Sequence, residues 1–343
     1  MNIDVLKKLT DGKNLSVSEC RQIFSQALKG SLDDAYLAAF LTAIKMKGET
    51  ADEIYAGAEV LRENAVHPDI NGEDMLDTCG TGGDGHGTFN VSTASAFICA
   101  AAGVKVAKHG NRSISSKCGS FDVLESLGCE ILLDEKQVAI AIRQTGLGFM
   151  YAPLFHKAMK NVALVRKSLG IRTIFNILGP LVNPAGATRQ LLGVYSKELM
   201  LKMANVLSRM GIARALIVHG SDGVDEITIS GDTYICEING ERMEEYKINP
   251  GMFGMQCSDL DAVSGGDAVV NAKLITDIFT GKEKGPRRDM LILNAGAALY
   301  TAGRTGDIGI GTKVARDIID NGAAHDKLRE YVSFSLKLKG AAL

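Results

Sequence analysis

The chain contains no tryptophan, only six prolines among 343 residues, and 6% aromatic positions. So little proline beside 38 glycines excludes a proline-rich disordered chain and favours many tight strand–helix junctions. An excess of either charge is also missing. The 38 basic and 40 acidic side chains leave a net charge of -2, so no global basic field draws the molecule to nucleic acid or to a membrane surface. Cysteine occurs seven times (Cys20, Cys79, Cys99, Cys118, Cys129, Cys236 and Cys257), with no C-x-x-C pair and no Cys/His cluster. Neither a disulfide framework nor a structural zinc site is expected, and a reducing, cytoplasmic setting is. Apolar runs such as 96–104 are far too short to span a bilayer. The opening MNIDVLKKLTDGK lacks the apolar stretch of a secretory signal. The length suits roughly two domains.

The first 65 residues carry helix signals only. Ser16-x-x-Glu19, Ser31-x-x-Asp34 and Thr50-x-x-Glu53 each resemble a capping box, and helix-period apolar residues follow each of them. Tyr36, Ala39, Phe40 and Ala43 form one such face, and Ile54, Ala58, Val60 and Leu61 another. Gly30 and Gly48 stand where helices should stop. From about residue 75, short apolar stretches at 75–76, 104–106, 131–133, 191–195 and 215–218 read as strands. They alternate with helical patterns at 93–102, 121–127, 136–144, 198–210 and 268–279. This alternation predicts an α/β fold with a mainly parallel central sheet flanked by helices, attached to a small all-helical domain. One long helix is expected over 154–169 and a short apolar one over 173–184. In open α/β sheets, ligands bind beyond the carboxyl ends of the strands.

Three candidate loops lie there. Residues 80–93, GTGGDGHGTFNVST, combine dense glycine with the hydroxyls of Thr81 and Thr88 and lead into a helix. Such a backbone can turn several N–H groups on one anion, as nests and helix N-termini do, although glycines in a turn can also serve only to relieve strain. The loop is neither a Walker loop nor a dinucleotide fingerprint. Within it, Ser92 also suits a helix N-cap. Residues 108–120, KHGNRSISSKCGS, place Lys108, Asn111, Arg112 and three serine hydroxyls within their first nine positions, after a second strand, a set suited to a phosphate and a sugar diol or to a solvated polar loop. His109 invites a general-base reading, yet a loop histidine more often packs or hydrogen-bonds. Residues 218–227, VHGSDGVDEI, offer Asp225 and Glu226, hard oxygen ligands of the kind magnesium takes together with substrate phosphates. Arg166, near a helix end in VRKSLGIRTIFNILGPLVNP, either forks onto a carboxylate or complements the helix dipole.

These four segments together, with the stretch VSGGDA at 263–268, resemble the anthranilate phosphoribosyltransferase family over essentially the whole chain. Cys118 stands where that family often has serine. The resemblance implies transfer of the phosphoribosyl group of phosphoribosyl pyrophosphate to the amine of anthranilate, in tryptophan biosynthesis. It implies a small helical, dimerising domain of residues 1–65 with about 164–187, and a large α/β domain of 70–160 with 190–343. The donor site implied is Gly80, Gly83, Asp84, Thr88, Asn90, Val91, Ser92, Thr93, Lys108, His109, Gly110, Asn111, Arg112, Ser113, Ile114, Ser115, Ser116 and Ser120. Anthranilate contacts fall to Gly80, Asn111 and Arg166, and magnesium ligands to Ser92, Asp225 and Glu226. No catalytic acid or base is implied. A homodimer is expected, an anthranilate synthase is the protein partner the family allows, and nucleic acid and membrane are not expected partners. The nearest rival is a pyrimidine nucleoside phosphorylase, whose first loop carries a lysine that is absent here. A nucleic-acid-binding relative without activity and a purely structural, partner-binding protein are the other readings.

Overall fold

The computed structural model describes residues 3–70, 72–113 and 117–340. Four helices come first: α1 (Ile3–Thr10), α2 (Val17–Lys29), α3 (Asp34–Lys47) and α4 (Ala51–Glu63). Two of the expected capping boxes are present in full. The Ser16 hydroxyl accepts from Glu19 N, the Thr50 hydroxyl accepts from Glu53 N, and each glutamate accepts in return from the cap amide. At the third start, Asp33 and not Ser31 caps the helix, because it stands immediately before the first turn and its carboxylate accepts from the amides of Ala35 and Tyr36. Gly30, with φ 69°, closes α2 in the left-handed conformation. Glu53 is fully buried, yet Lys47 Nζ at 2.9 Å and the amides of Leu15 and Thr50 satisfy it. This buried pair ties three helices together at one point.

The chain then alternates as expected, through β1 (Leu76–Gly80), α5 (Val91–Ala101), β2 (Val106–Gly110), α6 (Ser120–Ser126), α7 (Glu135–Thr145), β3 (Leu147–Tyr151), α8 (Ala152–Phe155), α9 (Lys160–Leu169) and α10 (Phe175–Leu178). It continues with β4 (Arg189–Gly193), α11 (Lys197–Arg209), β5 (Arg214–Gly220), β6 (Thr233–Asn239) and β7 (Arg242–Ile248). Helices α12 (Ala268–Phe279), α13 (Pro286–Thr301), α14 (Ile308–Asp320) and α15 (Ala323–Gly340) complete it. The strands form one sheet in the order β3-β2-β1-β4-β5-β6-β7. The first five are parallel, and β6 and β7 add an antiparallel hairpin at one edge.

Several expectations fail locally. Residues 131–133 bury Ile131 and Leu133 in the alternation of a strand, but no neighbouring strand pairs with them and they form an irregular connection into α7. The helix expected over 154–169 is broken at His156, whose φ of -112° and ψ of 58° separate α8 from a 3-10 turn and α9. The segment 173–184 yields only α10 and a 3-10 turn over Gly179–Leu181. Helix α1, strand β3, the β6–β7 hairpin and helices α13 to α15 carry no expectation from the sequence.

Period-2 burial divides the sheet between two cores. Leu191, Leu216 and Val218 face one core with α5, α13 and α15, whereas Leu192, Ala215 and Ile217 face a second with α2, α3, α4, α10 and α11. The second core also takes in Val162 and Val165 of α9 and the stretch Ile174–Val182. Helix α11 therefore lies between the sheet and the four opening helices.

Candidate active site

All five parallel strands point their carboxyl ends the same way, and Gly80 of β1 pairs with Gly193 of β4, which pairs with Val218 of β5. From β1 the chain moves outward through β2 and β3, then returns to place β4 on the other side of β1. The helices that follow β1 and β4, α5 and α11, lie on opposite faces of the sheet, and this reversal is the usual position of the ligand crevice in such a sheet.

The first loop is shaped by glycine. Gly82, Gly83, Gly85 and Gly87 have φ of 66°, 72°, 85° and 65°, a run of left-handed positions that side-chain-bearing residues rarely adopt. Gly82 N donates to Asp225 Oδ2 at 2.6 Å, and Thr81 N donates to Gly193 O at 2.9 Å, so the loop lies against the third loop. Added Cβ atoms show how close that contact is. At Gly193 one would collide with the Asp225 carbonyl, and at Gly80 with its carboxylate. Helix α5 begins at Val91 with Asn90 as its N-cap, so Ser92 sits inside the first turn and is not the cap. Thr93 is fully buried, and its hydroxyl has no partner among the described residues. Thr88 pairs with Ser264 and Gly265 N donates to Gly87 O, which brings the 263–268 stretch onto the loop. Asn271 seals that junction, accepting from Gly266 N at 2.7 Å and donating to Asn90 Oδ1 at 2.9 Å.

In the second loop Lys108 and Arg112 are both engaged with protein groups. Lys108 is buried; its ammonium donates to the Thr78 carbonyl and, at 3.3 Å, to the Ser92 hydroxyl. Arg112 pairs with Asp122 and Glu125 of α6. Asn111 is exposed, and its carbonyl accepts from Ser120 Oγ at 3.2 Å. Gly110 has no room for a side chain, because Ser120 Oγ occupies that space. Ser113 lies beside α6, its amide donating to Asp122 at 2.9 Å. Ile114, Ser115 and Ser116 lie outside the described residues.

An acidic group closes the crevice. Burial, reinforced by the charge of Asp84, lifts the Asp225 carboxyl to about 7. Burial and then Asp225 hold Glu226 well above the usual carboxylate range, opposed by Lys108 and the Ser92 amide. Asp84 Oδ2 is buried without a partner among the described residues. Asp225 and Glu226 with the Ser92 hydroxyl are hard oxygen donors of the kind a divalent cation takes. Among the described residues no three acidic, histidine or cysteine side chains already converge as a ligand set. A cation here would therefore draw further ligands from a substrate.

On the other wall stand residues the sequence reading did not bring together. The His156 ring meets His109 edge-on, with centroids 4.9 Å apart and the ring planes at 61°. Burial pushes these imidazoles down to about 3 for His109 and about 4 for His156, so both are neutral, which speaks against His109 as a base poised near neutrality. Arg166 lies 5.3 Å over the Phe175 ring, has no carboxylate partner among the described residues, and has its pKa lowered by burial. Arg172, 4.9 Å over Tyr195, packs against Gly83. His156 and Arg172 are distant in sequence from the loops they face, and only the fold brings them there.

Residues 3–65 match the family model described as glycosyl transferase family, helical bundle domain, and residues 72–325 that described as glycosyl transferase family, a/b domain. The chain is 47% identical over 332 residues to the anthranilate phosphoribosyltransferase of Persephonella marina, covering 96% of this chain and 98% of that one. It superposes with a TM-score of 0.90 on the crystal structure of anthranilate phosphoribosyltransferase from Thermus thermophilus, at 41% identity, covering 97% of this chain and 99% of that one. The Saccharomyces cerevisiae enzyme in complex with PRPP and Mg gives the same TM-score of 0.90 at 28% identity, with 98% of each chain covered. The chain belongs to this glycosyl transferase family, and within it to the anthranilate phosphoribosyltransferases. Among the described residues no helix is long and apolar enough to cross a membrane.

Proposed function

We propose that the chain transfers the phosphoribosyl group of 5-phospho-α-D-ribose 1-diphosphate to the amine of anthranilate, releasing pyrophosphate, as a step of tryptophan biosynthesis. One observation carries the reading: the left-handed glycine run 82–87, buried Lys108 and the carboxyls of Asp84, Asp225 and Glu226 meet at the crevice between β1 and β4. The glycine amides and the first turn of α5 hold the diphosphate, while residues 108–120 take the sugar and its 5-phosphate. Asp225, Glu226 and Ser92 would hold magnesium, which when bound supplies Lewis-acid stabilisation of the charge growing on the leaving group. Arg166, with no acidic partner of its own, holds the anthranilate carboxylate and aims the amine at C1 of the ribose. Bond breaking to the diphosphate runs ahead of bond making, and N–H dipoles fixed in advance favour that charge separation. The aromatic amine attacks neutral and loses its proton afterwards, so no base is assigned. Neutral His109 and His156 shape the wall and exclude water.

The helical unit of residues 1–65 with about 164–187 is the dimerising part, and the chain works as a homodimer. Support comes from exposed Met46 and Leu164, at 83% and 68% exposure, on α3 and α9, which pack on each other. Met46→Glu with Leu164→Glu should yield monomers in light scattering; an unchanged mass would refute the assignment. An anthranilate synthase is the heterologous partner to seek by co-purification, and its absence from purified complexes would remove that assignment.

The direct assay follows the loss of anthranilate fluorescence with donor and magnesium. Consumption that needs both is expected, and none with inorganic phosphate and a nucleoside; the reverse pattern would favour the phosphorylase. Arg166→Ala should raise the KM for anthranilate by roughly 10- to 150-fold with little change for the donor. Asp225→Asn should raise the magnesium requirement. Equal effects of Arg166→Ala on both substrates, or unaltered metal dependence in Asp225→Asn, would remove the corresponding role.

A further inference from the structure

Arg172 stands in the segment that joins α9 to α10, on the helical side of the crevice, and its side chain crosses to the opposite wall. The guanidinium lies 4.9 Å over the Tyr195 ring, and a Cβ at Gly83 would run into its Nη2 and Cζ atoms. Tyr195 is itself fastened to the first loop, its amide donating to the Thr81 hydroxyl at 3.2 Å. Guanidinium, ring and glycine run therefore form one assembly. Arg172 is exposed and has no carboxylate partner among the described residues, whereas Arg112, Arg189 and Arg214 each have one. A cation held against left-handed Gly83, beside the glycine run, is a fork-and-nest arrangement suited to two adjacent phosphoryl groups.

Charge balance points the same way. A diphosphate carries several negative charges into a crevice already lined by the acidic side chains Asp84, Asp225 and Glu226, and so needs cations that are not already paired. Lys108 is spent on Thr78 and Ser92, and Arg112 on Asp122 and Glu125. We infer that Arg172 binds the diphosphate of the donor, and the pyrophosphate released from it, and so ties the helical unit to the leaving group. This rests on the proposed function and adds to it a contact from the helical side. Planarity matters as well as charge, since the guanidinium must stack on Tyr195 while both of its terminal nitrogens reach phosphoryl oxygens.

The test is calorimetric titration of inorganic pyrophosphate with magnesium into the full chain, beside steady-state kinetics. Arg172→Ala should weaken pyrophosphate binding roughly tenfold or more, with a matching rise in the KM for the donor. The KM for anthranilate should stay within about twofold. Arg172→Lys should recover only part of the loss, because charge returns without the fork. Should Arg172→Ala fold poorly, Arg172→Gln answers the same question with a polar side chain of similar reach. Pyrophosphate affinity untouched by these changes, or a KM effect confined to anthranilate, overturns the inference. Wild-type protein that binds pyrophosphate yet consumes no anthranilate would instead overturn the functional reading and leave this one standing.

Discussion

His109 and His156 are buried against each other, and that has a consequence for stability. An imidazole in the unfolded chain takes its proton near pH 6.5, whereas burial delays this to about 3 for His109 and about 4 for His156. Depressed folded-state values mean that this part of the stability is fully present above about pH 6.5, and is lost as the pH falls below it toward those values. The melting temperature should therefore hold steady near neutrality and decline below about pH 6.5, with a shallower decline in His156→Gln. An identical acid slope in that variant would contradict the assignment. Individual residues were partly legible. Asp225 and Glu226 announce themselves as adjacent acids after a strand, and Arg166 as a cation at a helix end. Asp84 as their third carboxyl, His156 against His109 and Arg172 against Gly83 were not legible, because each pairing spans dozens of residues and no local pattern encodes it.

At the scale of elements, local signals succeeded where one side chain decides a boundary. Ser16, Thr50, Gly30 and Gly48 mark helix ends through bonds formed within four residues. They failed where a partner decides. Residues 131–133 alternate like a strand, but the sheet ends at β3, so nothing pairs with them. Strand β7, RMEEYKI, escaped notice because it is a charged, mostly exposed edge strand, even though the two-residue loop Gly240-Glu241, with Gly240 at φ 61°, is a hairpin signal. Gly193 shows how an element end sets up the site. It lets the Asp225 backbone cross the end of β4, so Gly193→Ala must push the third loop away. That variant should lose about 1–3 kcal/mol of stability, the usual cost of overpacking. It should also lose its response to magnesium. Chemical denaturation with a metal titration checks both, and wild-type behaviour in the two together would show that the contact is dispensable.

For the whole molecule, the alternating second half foretold the parallel sheet, and the strandless first 65 residues foretold the helical unit. Which faces meet was not foretold. Helix α11 belongs to the core of the opening helices while it packs on β5 and β6, so the two parts share packing as well as a crevice. Loops from β1, β2 and β5 supply one wall and the 156–172 region the other. The arrangement has a single physical premise: main-chain amides and a divalent ion receive a departing diphosphate at the point where the strand order reverses. Crystallography of the chain with phosphoribosyl pyrophosphate and magnesium tests that premise most directly. The account predicts the diphosphate within hydrogen-bonding reach of the amides of 83 and 84, with the metal touching Asp225 or Glu226. Density for the donor elsewhere, or a diphosphate turned away from the glycine run, would contradict it.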